Sequence, residues 1–215
     1  MLIMDVSHLR GADSPGVAAN YHRKPEAVTG IVLHQTAVRF GVSARQLADA
    51  GGDRAKALAT RALRVKAHCV LFREHTSHPP LLVYAAPLAW RMNHANGLNA
   101  TTVGLEIDGL YPGLEGGQTW GGWPAALWTP QIRDAARSAV RDIYYRAAGH
   151  GMVIRYLYAH RQSSATRRAD PGEAIWRDVG LWAADGLGLE IQPSRTWGKG
   201  LPIPEQWGGQ KGERY

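Results

Sequence analysis

The apolar positions of this chain change period along its length. Short runs of apolar and β-branched residues alternate with longer stretches in which apolar residues recur every three or four positions. The run Gly30-Ile31-Val32-Leu33 is apolar without alternation and leads directly into His34. It predicts a buried strand with His34 at its C-terminal end. Residues 67–72, 81–84, 103–107 and 156–159 read as further strands, with a turn over 75–80, a turn signal at Asp108-Gly109, and His160 directly after the last strand. Ser43 predicts an N-cap for a helix through Leu47 and Ala50, broken by Gly51-Gly52, and a second helix covers 53–64. The clearest helix opens at Thr129-Pro130, with Thr129 as cap and Pro130 in the first turn. It carries Ile132, Ala135, Ala136, Val140, Ile143 and Tyr144 at helical spacing and ends at Gly149 or Gly151. A last helix is predicted over 175–187.

Two flanks lack this periodicity. Residues 1–29 read as an irregular surface segment, and residues 191–215 as a Pro-, Gly- and Trp-rich basic tail that packs loosely. Between them, 30–190 is the expected folded domain. A Gly-, Pro- and Trp-rich loop at 110–128 interrupts it, and Trp120, Trp123 and Trp128 are candidates for a sugar-stacking rim or for packing of the loop on its own domain. Interleaved strands and helices predict an α/β domain with a central mixed sheet flanked by helices.

Composition narrows the picture. The chain has 215 residues and 45% apolar content, enough for one domain with a sizeable core. No apolar run reaches the roughly 18 residues that span a bilayer. Residues 1–10 carry Asp5 and lack a long apolar segment, so no secretory signal peptide is expected, and synthesis is expected in the cytoplasm. The single cysteine, Cys69, rules out an intrachain disulfide and reads as a small buried hydrophobe. A net charge of +7 favours polyanions, which include nucleic acid, anionic lipid and anionic cell-wall polymers, and charge alone does not choose among them. The basic residues are scattered and no nucleic-acid motif is present, so nucleic acid is not an expected partner. The chain is expected to act as a monomer.

Three candidate ligands stand out: His34, His160 and Asp170. Each histidine follows an apolar strand, and strand ends at one edge of a sheet converge in space. Asp170 comes nine residues after the loop begins at Arg161, just before Pro171-Gly172 turns the chain. Two imidazoles and a carboxylate suit Zn²⁺ and leave a fourth position for water. Such a site acidifies its water to a pKa of about 7 and polarises a carbonyl. On spacing alone, a structural role is the commoner reading of a histidine at a strand end.

Five blocks of residues resemble, in order, the motifs of the amidase type 2 family. That family holds phage lysozyme-type amidases, cytoplasmic anhydro-muropeptide amidases and peptidoglycan recognition proteins. The blocks are Gly30-Ile-Val-Leu-His34-Gln-Thr-Ala37; Ala67-His68-Cys69-Val70-Leu71; Ala89-Trp90; Asn99-Ala-Thr-Thr-Val103-Gly104-Leu105-Glu106-Ile107; and Tyr158-Ala159-His160-Arg161 followed by Arg168-Ala169-Asp170-Pro171-Gly172. The resemblance implies the family fold and hydrolysis of the bond between N-acetylmuramic acid and L-alanine of the stem peptide. It implies that His34, His160 and Asp170 bind one Zn²⁺. It implies that Glu106 is the general base, which then passes its proton to the leaving amine.

The chain departs from the family pattern in three places. Arg168 stands where family enzymes often carry the lysine that steadies the oxyanion, with Arg167 as a competing candidate. Ala67 stands where some members carry a catalytic tyrosine. The Ala-Trp-His motif becomes Ala89-Trp90-Arg91, which makes Trp90, Arg91, His94 and Asn99 the candidate substrate contacts. His68 is expected to be structural. The setting expected is lytic, as in a phage endolysin, with a non-catalytic peptidoglycan-binding module and a cytoplasmic recycling amidase as the alternatives.

Overall fold

The computed structural model describes residues 1–73, 78–111 and 126–208. In chain order the elements are β1 (Leu2–Asp5), β2 (Val17–His22), β3 (Gly30–Gln35), α1 (Ala44–Asp49), α2 (Arg54–Ala62), β4 (Cys69–Phe72), β5 (Leu81–Tyr84), β6 (Trp90–Met92), β7 (Thr102–Ile107), α3 (Pro130–Gly149), β8 (Tyr156–Ala159), α4 (Glu173–Ile175), α5 (Trp182–Leu187) and β9 (Glu190–Ile191). A π-helical stretch, Trp176–Leu181, joins α4 to α5.

Among the described residues, seven strands form one sheet in the order β1-β5-β4-β7-β3-β8-β9. β3 pairs in parallel with β7 on one side and with β8 on the other. β4 and β5 pair antiparallel, so the sheet is mixed. A strand buried on both faces has no reason to alternate apolar with polar residues. That is why Gly30–Gln35 reads as an unbroken apolar run, and every residue of it is buried. On one face, Ile31, Leu33, Val103, Leu105 and Leu157 pack against Ile132, Ala136, Val140 and Ile143 of α3. On the other, Val70, Phe72, Leu81 and Val83 pack against Leu58, Ala59 and Ala62 of α2. Each large side chain so buried contributes roughly 1.5–3 kcal/mol.

The helix caps match the sequence reading. Ser43 and Gln46 form a capping box at α1, and the Thr129 side chain accepts from the Ile132 N–H ahead of α3. The last helical segment begins at Glu173, two residues before the predicted start, because Gly172 already supplies the turn.

Both flanks are more ordered than their composition predicts. Within residues 1–29, β1 pairs in parallel with β5, and β2 pairs with β6 in a separate ribbon. β1 is an edge strand whose Leu2 and Ile3 are exposed, so no periodic apolar signal marks it. The tail through residue 208 is anchored, not loose. Trp207 is fully buried with Trp176, Ala159 and Ile203. The Gln162 side chain donates to the carbonyls of Gln192 (2.7 Å) and Arg195 (2.9 Å), and the N–H groups of Trp197 and Leu201 return hydrogen bonds to Gln162 and Arg161. Gly200 crosses so close that a Cβ there would lie 1.9 Å from the Gln162 carbonyl oxygen. Isolated tryptophans among prolines and glycines hold this segment, a pattern without period.

Of the loop tryptophans, Trp120 and Trp123 lie outside the described residues. Trp128 packs edge-on against Tyr111 and donates its Nε1–H to Asp178 at 2.5 Å, so it anchors the loop's end to the domain. Cys69 is fully buried.

Truncation of Trp207 tests the tail's place in the core. Trp207→Ala should cost about 3–5 kcal/mol of unfolding free energy in urea titration. An unchanged midpoint would mean that residues 192–208 lie outside the cooperative unit.

Candidate metal centre

Parallel pairing puts the C-terminal ends of β7, β3 and β8 at one edge of the sheet. Clefts at that edge, beside a change in strand direction of travel, are where open α/β sheets bind ligands. His34 stands opposite Glu106 in the β3–β7 register, and the β3–β8 pairing ends at Leu33 with Ala159, one residue before His34 and His160. His34 Nδ1 and His160 Nδ1 are 2.9 Å apart, and His160 Nδ1 is 2.9 Å from Asp170 Oδ2. One ligand atom from each of His34, His160 and Asp170 lies within 4.8 Å of the others. Asp170 is steadied from behind, its Oδ1 accepting the Gln35 N–H at 3.0 Å.

The electrostatics prepare these groups for a cation. Burial, with His160 and His94 nearby, holds the His34 imidazole well below its ordinary range, so it is neutral and has a lone pair to offer. Glu106 Oε1 is 4.0 Å from His34 Nδ1. Burial, and then Asp170, push the Glu106 carboxyl well up, against the opposing pull of the Arg167 guanidinium. Its Oε2 is buried with no hydrogen-bond partner among the described residues. An orphaned buried carboxylate oxygen is costly unless a further group meets it. Two imidazoles, one carboxylate and this second carboxylate facing them fit a zinc ion with its water.

A shell of polar contacts carries the three candidate ligands. The Gln35 side chain donates to the carbonyls of Tyr111 and Ala169 and accepts from the Tyr111 N–H, so it ties the end of β3 to the Asp170 loop. Arg161 donates to the carbonyls of Arg168 and Pro202 and lies over the Trp207 ring, which couples that loop to the tail. Asp108 accepts from the Phe40 N–H at 2.7 Å and so pins the segment that leaves β3.

The remaining predicted residues divide. Arg167 lines a small cleft with Gln35, Ala37, Thr166 and Asp170, whereas the Arg168 side chain is exposed. His94 and Asn99 are buried; His94 Nδ1 is 3.0 Å from His34 Nε2, and Asn99 accepts from the N–H groups of His94 and Ala95. His94 thus meets the His34 ring nitrogen opposite the one nearest His160, and the Asn99 side-chain oxygen is engaged by backbone N–H groups. Trp90 packs on Tyr21 and His22 in the β2–β6 ribbon, and Arg91 is half-buried beside Arg23. His68 is structural. Its Nδ1 accepts from the Gly104 N–H at 3.0 Å, so its Nε2–H donates to the Trp90 carbonyl at 2.7 Å. Gln35, Arg161 and Arg23 went unassigned in the sequence reading; only Gln35, adjacent to His34, carried a positional hint. A cavity of about 290 Å³, lined by Asp5, Tyr84, Arg146 and His150, sits at the opposite edge of the sheet and shares no residue with this site.

The chain matches the sequence profile of the Amidase_2 family, N-acetylmuramoyl-L-alanine amidase, over residues 24–173, and it belongs to that family. Two solved peptidoglycan recognition proteins agree on the fold. PGRP-SA from bumblebee superposes with a TM-score of 0.52 at 16% identity, covering 89% of this chain and 97% of that one. Drosophila peptidoglycan recognition protein SD gives 0.50 at 15%, covering 92% and 97%. The N-acetylmuramoyl-L-alanine amidase endolysin LysCS from Clostridium intestinale URNW gives 0.48 at 14%, covering 87% and 96%. A search of curated protein sequences finds no match.

The buried Asp108 gives a pH test of the segment it pins. Burial holds its carboxyl up at about 6, against an ordinary 3.8. A raised carboxyl stabilises the fold fully below the unfolded value and loses that contribution as pH rises through the folded one. Asp108→Asn keeps an acceptor for Phe40 without the titration. In the presence of chelator, the wild-type advantage over this variant in unfolding free energy should fall by on the order of 2–3 kcal/mol between about pH 3.5 and 7. A constant difference across that window would contradict the assignment.

Proposed function

We propose that this protein hydrolyses the amide between N-acetylmuramic acid and L-alanine in peptidoglycan, with one zinc ion held by His34, His160 and Asp170. The observation that carries this reading is the convergence of three ligand atoms within 4.8 Å, faced by the Glu106 carboxylate. A zinc ion bound there would polarise the lactyl carbonyl and acidify water.

The chain's own groups do the rest. Glu106, whose carboxyl oxygen lies 4.0 Å from His34 Nδ1, takes a proton from the attacking water as a C–O bond forms. It then delivers that proton to the nitrogen as the C–N bond breaks, and glycan and free stem peptide result. The cation that steadies the oxyanion is Arg167, which lines the cleft beside Asp170; the exposed Arg168 instead gives its backbone carbonyl to Arg161. The net charge of +7 supports a lytic role on an anionic wall over one on small soluble fragments.

Glu106→Gln should lower turnover by about 10²- to 10⁴-fold while zinc content by elemental analysis stays at one per chain. Turnover at the wild-type rate would remove Glu106 from the mechanism. Arg167→Ala should lower kcat by about 10²- to 10³-fold, and Arg168→Ala by much less; the reverse order would return the role to Arg168. Mass spectrometry of digested wall and of 1,6-anhydro fragments, with and without chelator, identifies the bond cut and the substrate. Chelator-insensitive binding without cleavage would mark the chain as a recognition module. Cleavage of the anhydro fragments alone would mark a recycling enzyme.

A further inference from the structure

We infer that His94 is a positioning residue that fixes the tautomer of His34, so that Nδ1 and not Nε2 carries the lone pair at the metal centre. The inference rests on the reading of this centre as a zinc site.

The argument begins at Thr102. Its backbone carbonyl can only accept, and it lies 3.4 Å from His94 Nε2. Its hydroxyl lies 3.3 Å from the same nitrogen, but the hydroxyl proton is committed to the Leu98 carbonyl at 2.7 Å. Both groups therefore ask His94 Nε2 to donate. In a neutral imidazole only one nitrogen carries hydrogen, so His94 Nδ1 is an acceptor. The atom facing it, at 3.0 Å, is His34 Nε2, which must donate. His34 Nδ1 is then bare, and it is this atom that lies 2.9 Å from His160 Nδ1 and 4.0 Å from Glu106.

Two further features hold the relay. Full burial, with His160 and the Arg23 guanidinium nearby, keeps His94 neutral, and Arg23 itself lies 2.8 Å from the Thr102 carbonyl. Gly104 leaves room for it: a Cβ there would lie 2.7 Å from His94 Nδ1 and 2.9 Å from Cγ. The ring fills a slot in the sheet that only glycine provides. Metal-ligating histidines commonly donate their second ring N–H to an outer partner, and loss of that partner weakens metal binding. Here the partner is a second imidazole whose own tautomer is set by backbone.

The test begins with the metal-free wild type, labelled with ¹⁵N in its histidines. His34 should show hydrogen on Nε2 and a bare Nδ1, and His94 the same pattern. A His34 protonated on Nδ1 with Nε2 bare overturns the inference. His94→Phe keeps the ring and removes the acceptor. It should weaken zinc binding, measured by competition with a chromophoric chelator, by about 10- to 100-fold. His94→Gln, whose amide oxygen can accept the same N–H, should recover part of that loss. Wild-type zinc affinity in a folded Phe variant overturns the inference; if that variant fails to fold, the wild-type tautomer decides. A wild type that takes up no zinc at all sinks the proposed hydrolase instead, while the tautomer measurement in the metal-free protein still decides the relay.

Discussion

Parallel pairing of the central strand with neighbours on both sides is the constraint from which the site follows. β3 meets β7 and β8 in one direction of travel, so all three strands finish at the same edge. Residues distant along the chain arrive there without any local motif to gather them. The pairing also needs a fully buried β3, which explains an apolar run with no polar alternation and a histidine at its end that water does not reach. Such a histidine is neutral because a buried imidazolium would be costly, and a neutral imidazole is what a metal requires. Fold and chemistry therefore share one cause.

Much of this architecture was legible from pattern alone. The apolar runs located β3, β4, β5, β7 and β8, and the Thr129-Pro130 opening located α3, because burial on both faces and helix capping leave local marks. His34, His160 and Asp170 were legible as candidates because each sits at the end of an element or at a turn. The edge strand β1 falls in the short apolar run Met1-Leu2-Ile3-Met4, which was read with the irregular flank, and the ribbon strand β2 left no such mark. Their identity comes from backbone pairing with distant segments, and their side chains are largely exposed. The tail failed for a related reason: Trp207 and Ile203 contact the core singly, between prolines and glycines, so composition suggested loose packing where the chain is anchored. Among the candidate site residues, proximity in sequence could not decide between Arg167 and Arg168, since one residue along an irregular loop reverses the direction of a side chain.

Buried cations support the site in an uncommon manner. Arg23 donates to the carbonyls of Leu88, Ala89, Asn99 and Thr102, and Arg10 to those of Pro15, Ala62, Val65 and Ala85. Both guanidiniums are solvated by backbone dipoles, and burial lowers both to about 10. The forked geometry lets one side chain gather several chain segments, which a lysine ammonium at a single point cannot do. Arg23 thereby joins the segment before β3 to the residues that lead into β6 and to the end of the β6–β7 connection, the stretch that carries His94.

Gly104 and Glu106 lie two residues apart on β7 and so project to the same face of the sheet. The strand offers an absence at one position and a carboxylate at the next position in phase. Sliding β7 by a single residue against β3 would bring Val103 and Leu105 to that face and turn the acid toward the helical layer behind it. Alignment of this one strand is thus all-or-none for the candidate site: partial misalignment leaves no intermediate arrangement, and the dense apolar grip on Val103, Leu105 and Ile107 is what forbids it.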